Sequence, residues 1–141
     1  MSSSWLYNNG DNVAGVLGFC NNHEDDITYN SSYIQIPADY DTGIYIPDTT
    51  YDLSKYTKLC VTIMYNSAGG SYVDLDLSGV SNEWPSPYPA IELGAKVTYE
   101  LDISGDTDVQ TIRLYIQSIR GSTGGAVTNK TKFRVYELWL E

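Results

Sequence analysis

Tyrosine and tryptophan are the side chains of this chain best suited to recognising another molecule. The 141 residues include 13 Tyr and 3 Trp but only 2 Phe. Rings with an apolar body and a polar tip suit contacts with sugars and with protein surfaces. Trp84 and Tyr88 lie in the segment SNEWPSPYPA, residues 81–90, whose prolines exclude a central strand. The sequence therefore predicts a stiff loop that offers both rings to a ligand, the alternative being that Trp84 folds back over the end of the fold.

Five other aromatic residues rank below that loop as ligand contacts. Tyr40, Tyr45 and Tyr51 lie in a turn-rich stretch and are the second choice for binding. Trp5 and Trp139 lie in terminal segments with strand-like sequence. We predict that these two tryptophans pack within the fold.

An acidic loop could hold a hard cation. Glu24, Asp25 and Asp26 are consecutive, with Asp39 and Asp41 nearby in sequence. Calcium takes about 6–8 oxygen ligands, and carboxylates supply them well. No EF-hand spacing occurs, so a solvated loop is the alternative to a structural calcium site. The sequence requires no other cofactor.

The groups that enzymes commonly use are scarce. His23 is the only histidine, and no nucleophile-elbow sequence surrounds any serine. Cys20 and Cys60 lack the spacing of zinc ligands, and we predict free thiols, with one disulfide as the alternative in an oxidising compartment. A glycosidase would need two carboxylates in one cleft, whereas Glu100 and Asp102 alternate with apolar residues and so face solvent. We therefore predict that the protein is not an enzyme.

The net charge and the short apolar runs argue against nucleic-acid-binding and membrane-spanning proteins. The 8 Lys+Arg and 18 Asp+Glu give a net charge of -10, which opposes binding to nucleic acid and to anionic membranes. No apolar run approaches the roughly 20 residues that span a bilayer. The first residues, MSSSWLYNNGD, lack the basic and apolar regions of a secretion signal. We expect a single domain over residues 1–141.

The elements that must position these side chains are predicted to be short strands. In KVTYELDI, residues 96–103, apolar and polar residues alternate with the period of a half-buried strand. Similar patterns predict strands at 57–65, 71–77 and 111–119. Weaker strands are predicted at 4–7, 33–36 and 43–46, and 132–140 is rich in residues that favour strands. Residues 13–20 fit either a short strand or a tight turn. Turn-rich segments between them favour an all-β fold, an antiparallel two-sheet β-sandwich of the jelly-roll type with eight or nine strands.

Several segments together resemble a known class of domain. The order SSWLYNNGD, YIPDTTYDLSKYTKLCVTI, VTYELDISGDTDVQTIRLYIQS and FRVYELWLE resembles small jelly-roll domains of virion proteins from tailed bacteriophages of gut bacteria. The same arrangement is similar to carbohydrate-binding modules. In many of those modules a carboxylate of the last strand helps to hold a calcium ion, and the resemblance implies Glu137 for that role.

The resemblance implies a non-enzymatic virion component, such as a capsid decoration, fibre or tail protein. It would be made in the host cytoplasm, displayed on the virion surface and bound to neighbouring virion proteins, in the manner of trimeric jelly rolls, or to a host or dietary glycan. The alternative is an extracellular carbohydrate-binding module from a secreted bacterial glycoside hydrolase. A small glycoside hydrolase or lyase is a third, weaker hypothesis.

Overall fold

Antiparallel strands make up the regular structure in the residues that the computed structural model describes: 4–20, 24–37, 43–47, 51–65, 73–77, 95–105, 108–109, 112–118 and 132–141. In chain order the strands are β1 (Ser4–Asn8), β2 (Leu17–Phe19), β3 (Thr28–Tyr29), β4 (Ile34–Pro37), β5 (Gly43–Ile46), β6 (Tyr51–Asp52), β7 (Lys58–Tyr65), β8 (Val73–Leu77), β9 (Lys96–Asp102), β10 (Asp108–Val109), β11 (Ile112–Ser118) and β12 (Lys132–Leu140). One-turn 3-10 helices occur at Glu24–Asp26 and Leu53–Lys55. Among these described residues no helix is long and apolar enough to cross a bilayer.

The strands form two main sheets. The first has the order β3-β4-β12-β7-β9, and β1 also pairs with β12, beyond the segment that pairs with β4. The second has the order β2-β5-β11-β8, while β6 and β10 form a small pair. Along the chain, β4, β5, β7, β8, β9, β11 and β12 alternate between the two main sheets. This alternation is the jelly-roll arrangement and confirms the predicted fold class.

Sequence alternation placed the strands accurately. Each of the eight predicted strands lies within two residues of its observed bounds at both ends. The ambiguous residues 13–20 contain a turn followed by the short strand β2.

The core lies between the two sheets. Tyr99, Leu101 and Ile103 are buried as the alternation predicts, and Val97 is partly buried. One apolar cluster joins both sheets, with these fully buried members among others: Ile34, Ile36, Ile44, Ile46, Leu59, Val61, Ile63, Leu114, Phe133 and Val135. Burying one such side chain contributes about 1.5–3 kcal/mol, so this cluster holds the sheets together.

A β-bulge changes the alternation within β12. Val135 pairs with Ile63 and Glu137 pairs with Thr62, so Tyr136 is an extra residue between two regular pairs. Phe133 and Val135 before the bulge and Leu138 and Leu140 after it are all buried in the core. The bulge therefore leaves both Tyr136 and Glu137 on the side away from the core and returns Leu138 to the core side.

A tight turn at residues 8–11 is packed beside this bulge. Asn8 and Asp11 exchange backbone hydrogen bonds of 3.0 and 2.9 Å, and Asn9 and Gly10 both have positive φ, 47° and 98°. The Asn9 amide donates to the Tyr136 carbonyl at 2.7 Å. A Cβ on Gly10 would lie 2.2 Å from the carbonyl oxygen of Ser31. Only glycine fits both the backbone conformation and this contact.

Candidate functional site

The side of the first sheet that faces away from the core carries a mixture of aromatic, charged and polar side chains. We call it the outer face, and its members include Trp5, Tyr33, Gln35, Thr62, Lys96, Thr98, Arg134, Tyr136, Glu137 and Trp139. Their positions follow from the register, in which residues paired across neighbouring strands share a face. The jelly roll thus brings residues from opposite ends of the sequence onto one surface.

Two tyrosines and two cations form one group on this face, which we call the tyrosine cluster: Tyr33, Lys96, Arg134 and Tyr136. The two tyrosine ring centroids are 5.4 Å apart. Lys96 Nζ lies 3.9 Å from the centre of the Tyr136 ring, and Arg134 Cζ lies 4.5 Å from the centre of the Tyr33 ring. Each cation is within the range of attraction to the ring face. Tyr136 is 7% exposed and Tyr33 is half-buried, so Tyr33 offers the accessible ring.

Local backbone geometry sets the positions of both tyrosines. The Asn30 side-chain oxygen accepts hydrogen bonds from the amides of Ser32 at 2.8 Å and Tyr33 at 2.9 Å. This turn delivers Tyr33 to the start of β4. Tyr136 follows the inward Val135 and lies on the same face, and the bulge keeps the next residue, Glu137, on that face as well.

Two tryptophans form a second aromatic group further along β12. The rings of Trp5 and Trp139 are 5.1 Å apart and tilted by 43°, and Trp5 is 37% exposed. Trp139 Nε1 donates to Glu141 Oε2 at 3.2 Å. Trp139 lies between two and three strand steps from the bulged Tyr136, about 8 Å at about 3.3 Å per step. The two tryptophans do pack, as predicted, but against each other on the outer face, where Trp5 stays accessible.

Polar side chains lie beside these rings. The hydroxyls of Thr62 and Thr98 are hydrogen-bonded at 2.8 Å, and Lys58 Nζ forms an ion pair with Glu100 Oε2 at 2.9 Å. This bond to the Glu100 carboxylate raises the pKa of Lys58, which stays charged. The face therefore offers hydrogen-bond donors and acceptors next to ring surfaces.

Cys60 also lies on this face, opposite Trp139 and Glu100, but it is inaccessible. No disulfide joins Cys20 and Cys60, and both side chains are buried. Burial, followed by the charges of Glu100 and Glu141, raises the pKa of the Cys60 thiol to about 12. A protonated, covered thiol is a poor nucleophile.

The aromatic residues predicted as ligand contacts do not meet in the described part of the chain. Trp84, Tyr88 and Tyr40 lie outside the described residues. Tyr45 lies on β5 between the buried Ile44 and Ile46, so it faces outward from the second sheet, on the other side of the sandwich. Its ring meets that of Phe19 edge-on, with centroids 6.0 Å apart.

The predicted cation ligands lie in two separate elements. Glu24, Asp25 and Asp26 form the 3-10 helix before β3, whereas Glu137 lies on β12 opposite Asn8 and Thr62. Within the described ranges no three or more His, Cys, Asp or Glu residues are grouped so as to hold a metal. A structural calcium site stays a prediction.

Sequence reasoning missed the tyrosine cluster, although one signal for it was present. In FRVYELWL, residues 133–140, apolar residues occupy odd positions before Tyr136 and even positions from Leu138 onward. This change of phase is typical of a bulge and indicates that both Tyr136 and its neighbour Glu137 face away from the core.

The comparisons with known proteins agree on the fold. No protein-family model matches the chain, and no curated protein sequence matches it. Solved structures of the carbohydrate-binding module CBM29-2 share the fold over 99–100% of this chain and 91–92% of theirs, with TM-scores of 0.55–0.56 at 14% identity. In these three structures an arginine, a tyrosine or a lysine is replaced by alanine, in work that probes ligand recognition by family 29 modules. The match confirms the β-sandwich architecture.

Proposed function

We propose that this protein binds carbohydrate on the outer face of its first sheet. The observation that carries the proposal is the placement of two aromatic groups, the tyrosine cluster and the Trp5–Trp139 pair, along one strand of one exposed sheet. A sugar ring has an apolar side that stacks on an aromatic ring and hydroxyls at its edge that need hydrogen bonds. Aromatic groups about 8 Å apart along a strand would contact different sugar units of an extended glycan.

The side chains around the rings can supply the hydrogen bonds that sugar hydroxyls need. Gln35 and the exposed Thr98 offer neutral donors and acceptors, and Arg134 and Lys96 offer charged donors. Because these groups project from paired strands, little conformational entropy is lost when a ligand binds. The face therefore suits a ligand that is flat, polar at its edges and longer than one ring.

The structural neighbours support the same proposal. CBM29-2 is a carbohydrate-binding module, and the residues changed to probe its ligand recognition are an arginine, a tyrosine and a lysine. These three residue types form the tyrosine cluster here.

The setting in which the protein acts rests on sequence resemblance alone. A virion surface, with virion proteins as partners and a trimeric assembly, is the first prediction, and an extracellular module of a glycoside hydrolase is the alternative. Both settings are compatible with a glycan-binding face and with a non-enzymatic role.

A glycan array probed with the whole chain tests the proposal. We expect specific binding, weakened about tenfold or more in Trp5→Ala and in Tyr33→Ala, which corresponds to about 1.4 kcal/mol per substitution. Phe19→Ala is the matched control, because it removes a half-buried aromatic ring from the opposite sheet. Circular dichroism and thermal melting show whether each variant keeps its fold.

Two results would contradict this assignment in different ways. A wild-type protein that binds no glycan would remove the function itself. Binding lost in Tyr45→Ala, Trp84→Ala or Tyr88→Ala, and kept in Trp5→Ala and Tyr33→Ala, would move the site away from the outer face.

A further inference from the structure

Two positive charges of the outer face have no acidic partner. Within the residues that the structure describes, neither Lys96 nor Arg134 forms an ion pair with a carboxylate. Lys58, at the other end of β7, differs, because it forms an ion pair with Glu100 at 2.9 Å. Among these three described side chains, Lys58 is neutralised by a carboxylate and Lys96 and Arg134 are not.

The contacts of these two cations are electrically neutral. Lys96 Nζ lies over the Tyr136 ring and the Arg134 guanidinium over the Tyr33 ring. Arg134 Nε donates to the side-chain oxygen of Gln35 at 3.0 Å. The two Nη groups of Arg134 have no hydrogen-bond partner among the described residues. These donors are held in place, and their charge is not cancelled.

Such a local excess of positive charge stands out in an acidic chain. Only 8 Lys+Arg residues accompany 18 Asp+Glu. Glu137 shares the face and the strand with Arg134, yet no ion pair joins it to either cation in the described part of the chain. Salt screens more distant acids beyond about 8–10 Å. A ligand at the tyrosine cluster therefore meets the two cations first.

We infer that the tyrosine cluster recognises an acidic glycan, through an anionic group on the sugar that stacks nearest Tyr33. This inference rests on the proposed carbohydrate-binding function and specifies its ligand class. The anionic group is a carboxylate, as in uronic acids, or a sulfate ester. The forked Nη groups of Arg134 fit two oxygens of either group, and Lys96 adds a second positive charge.

The arrangement favours an acidic sugar over a neutral one for an energetic reason. Hydrogen bonds between charged partners are roughly twice as strong as neutral ones. Sugar hydroxyls are well served by neutral donors such as those of Gln35 and Thr98, so they do not require two cations. Only an anion makes full use of both charges.

The test compares matched acidic and neutral glycans. The array contains oligosaccharides of pectin, alginate and hyaluronan, each beside its carboxyl-reduced counterpart, and carrageenan oligosaccharides beside their desulfated forms. We expect binding to acidic members to exceed binding to their neutral counterparts about tenfold or more. Raising NaCl from about 0.05 M to about 0.5 M should weaken only the acidic interaction. The carboxylate and sulfate arms distinguish the two sources of negative charge.

Charge-matched variants locate the effect. Lys96→Gln and Arg134→Gln should each weaken acidic binding about tenfold and weaken binding to the neutral counterparts less, so that the preference for acidic glycans falls. Lys55→Gln makes the same change in net charge at a side chain that is 74% exposed beside Asp52, away from the cluster, and should leave both unchanged. Lys96 is exposed on the sheet, so its variant remains informative if Arg134→Gln fails to fold.

The outcomes separate this inference from the function on which it rests. Equal or stronger binding to the neutral counterparts would overturn the acidic-glycan inference and leave carbohydrate binding in place. A loss of acidic binding in Lys55→Gln equal to that in Lys96→Gln would also overturn it, because the effect would then reflect net charge. Absence of binding to every glycan would refute both.

Discussion

Gly10 is the residue at which a single methyl group should affect both stability and the candidate site. Its φ of 98° costs an L-amino acid about 1–2 kcal/mol. A Cβ there would also lie 2.2 Å from the Ser31 carbonyl oxygen and 2.4 Å from the Ser31 carbonyl carbon, where at least about 3.0 Å is normal. The obstacle is backbone, so no side-chain rotation relieves it, and one loop must move by about 0.8 Å.

We therefore expect Gly10→Ala to lower the free energy of unfolding by about 2–5 kcal/mol, the conformational cost plus about 1–3 kcal/mol for overpacking. Gly15→Ala is the matched control, because Gly15 also has positive φ, 72°, but a methyl group added there would have no heavy atom within 4 Å. Gly15→Ala should lower the free energy of unfolding by only the conformational cost of positive φ, about 1–2 kcal/mol. Urea unfolding followed by tryptophan fluorescence measures both values.

The same substitution should weaken glycan binding. Ser31 lies in the turn in which Asn30 holds the amide of Tyr33, and Asn9 donates to the carbonyl of Tyr136. Displacing this loop shifts Tyr33 relative to Tyr136. If the free energies of unfolding of Gly10→Ala and Gly15→Ala agree within about 0.5 kcal/mol and both variants bind glycan with the same affinity, the argument from this close contact is wrong.

Three further predictions concern other parts of the first sheet. Thr62→Val should cost about 1 kcal/mol in urea unfolding, because it removes the buried hydroxyl that bonds Thr98 at 2.8 Å, and a cost near zero would show that this bond contributes nothing. The hydroxyl and amide of Ser104 lower the pKa of Asp102 below its ordinary value of 3.8, so the stability that this carboxylate contributes is present above pH 3.8 and is lost as the pH falls through the lower pKa of the folded state. Ser104→Ala should raise the pKa of Asp102 in an NMR titration. An unchanged pKa would contradict the role of Ser104. The Cys60 thiol, with its pKa raised to about 12, should resist a thiol reagent at pH 8 until urea is added, whereas fast labelling of the native protein would disprove its burial.

The sequence predicted the strands well because alternation reports burial directly. In KVTYELDI the buried residues are spaced by two, and the observed strand β9 ends one residue earlier than expected. β12 shows where that logic fails. Its bulge changes which residues face inward, and a bulge depends on pairing with β7, which lies about 70 residues away in sequence.

The candidate site was harder to predict for the same reason. Tyr33 and Arg134 are about 100 residues apart, and only the pairing of β4 with β12 brings them together. Composition favoured tyrosine and tryptophan as ligand contacts, and the candidate site contains residues of both types. Trp84, Tyr88 and Tyr40 lie outside the described residues, and sheet register decides which of the described rings share a face.

The position of β12 also has a consequence for biosynthesis. This strand joins β1, β4 and β7 in the first sheet, yet it comes after all of them in the chain. A ribosome that has delivered the first 100 residues has made those three strands without the one that connects them. Until Lys132–Leu140 emerges, the edges of β4 and β7 are open to pairing with other nascent chains, so rapid synthesis at high expression should favour aggregation.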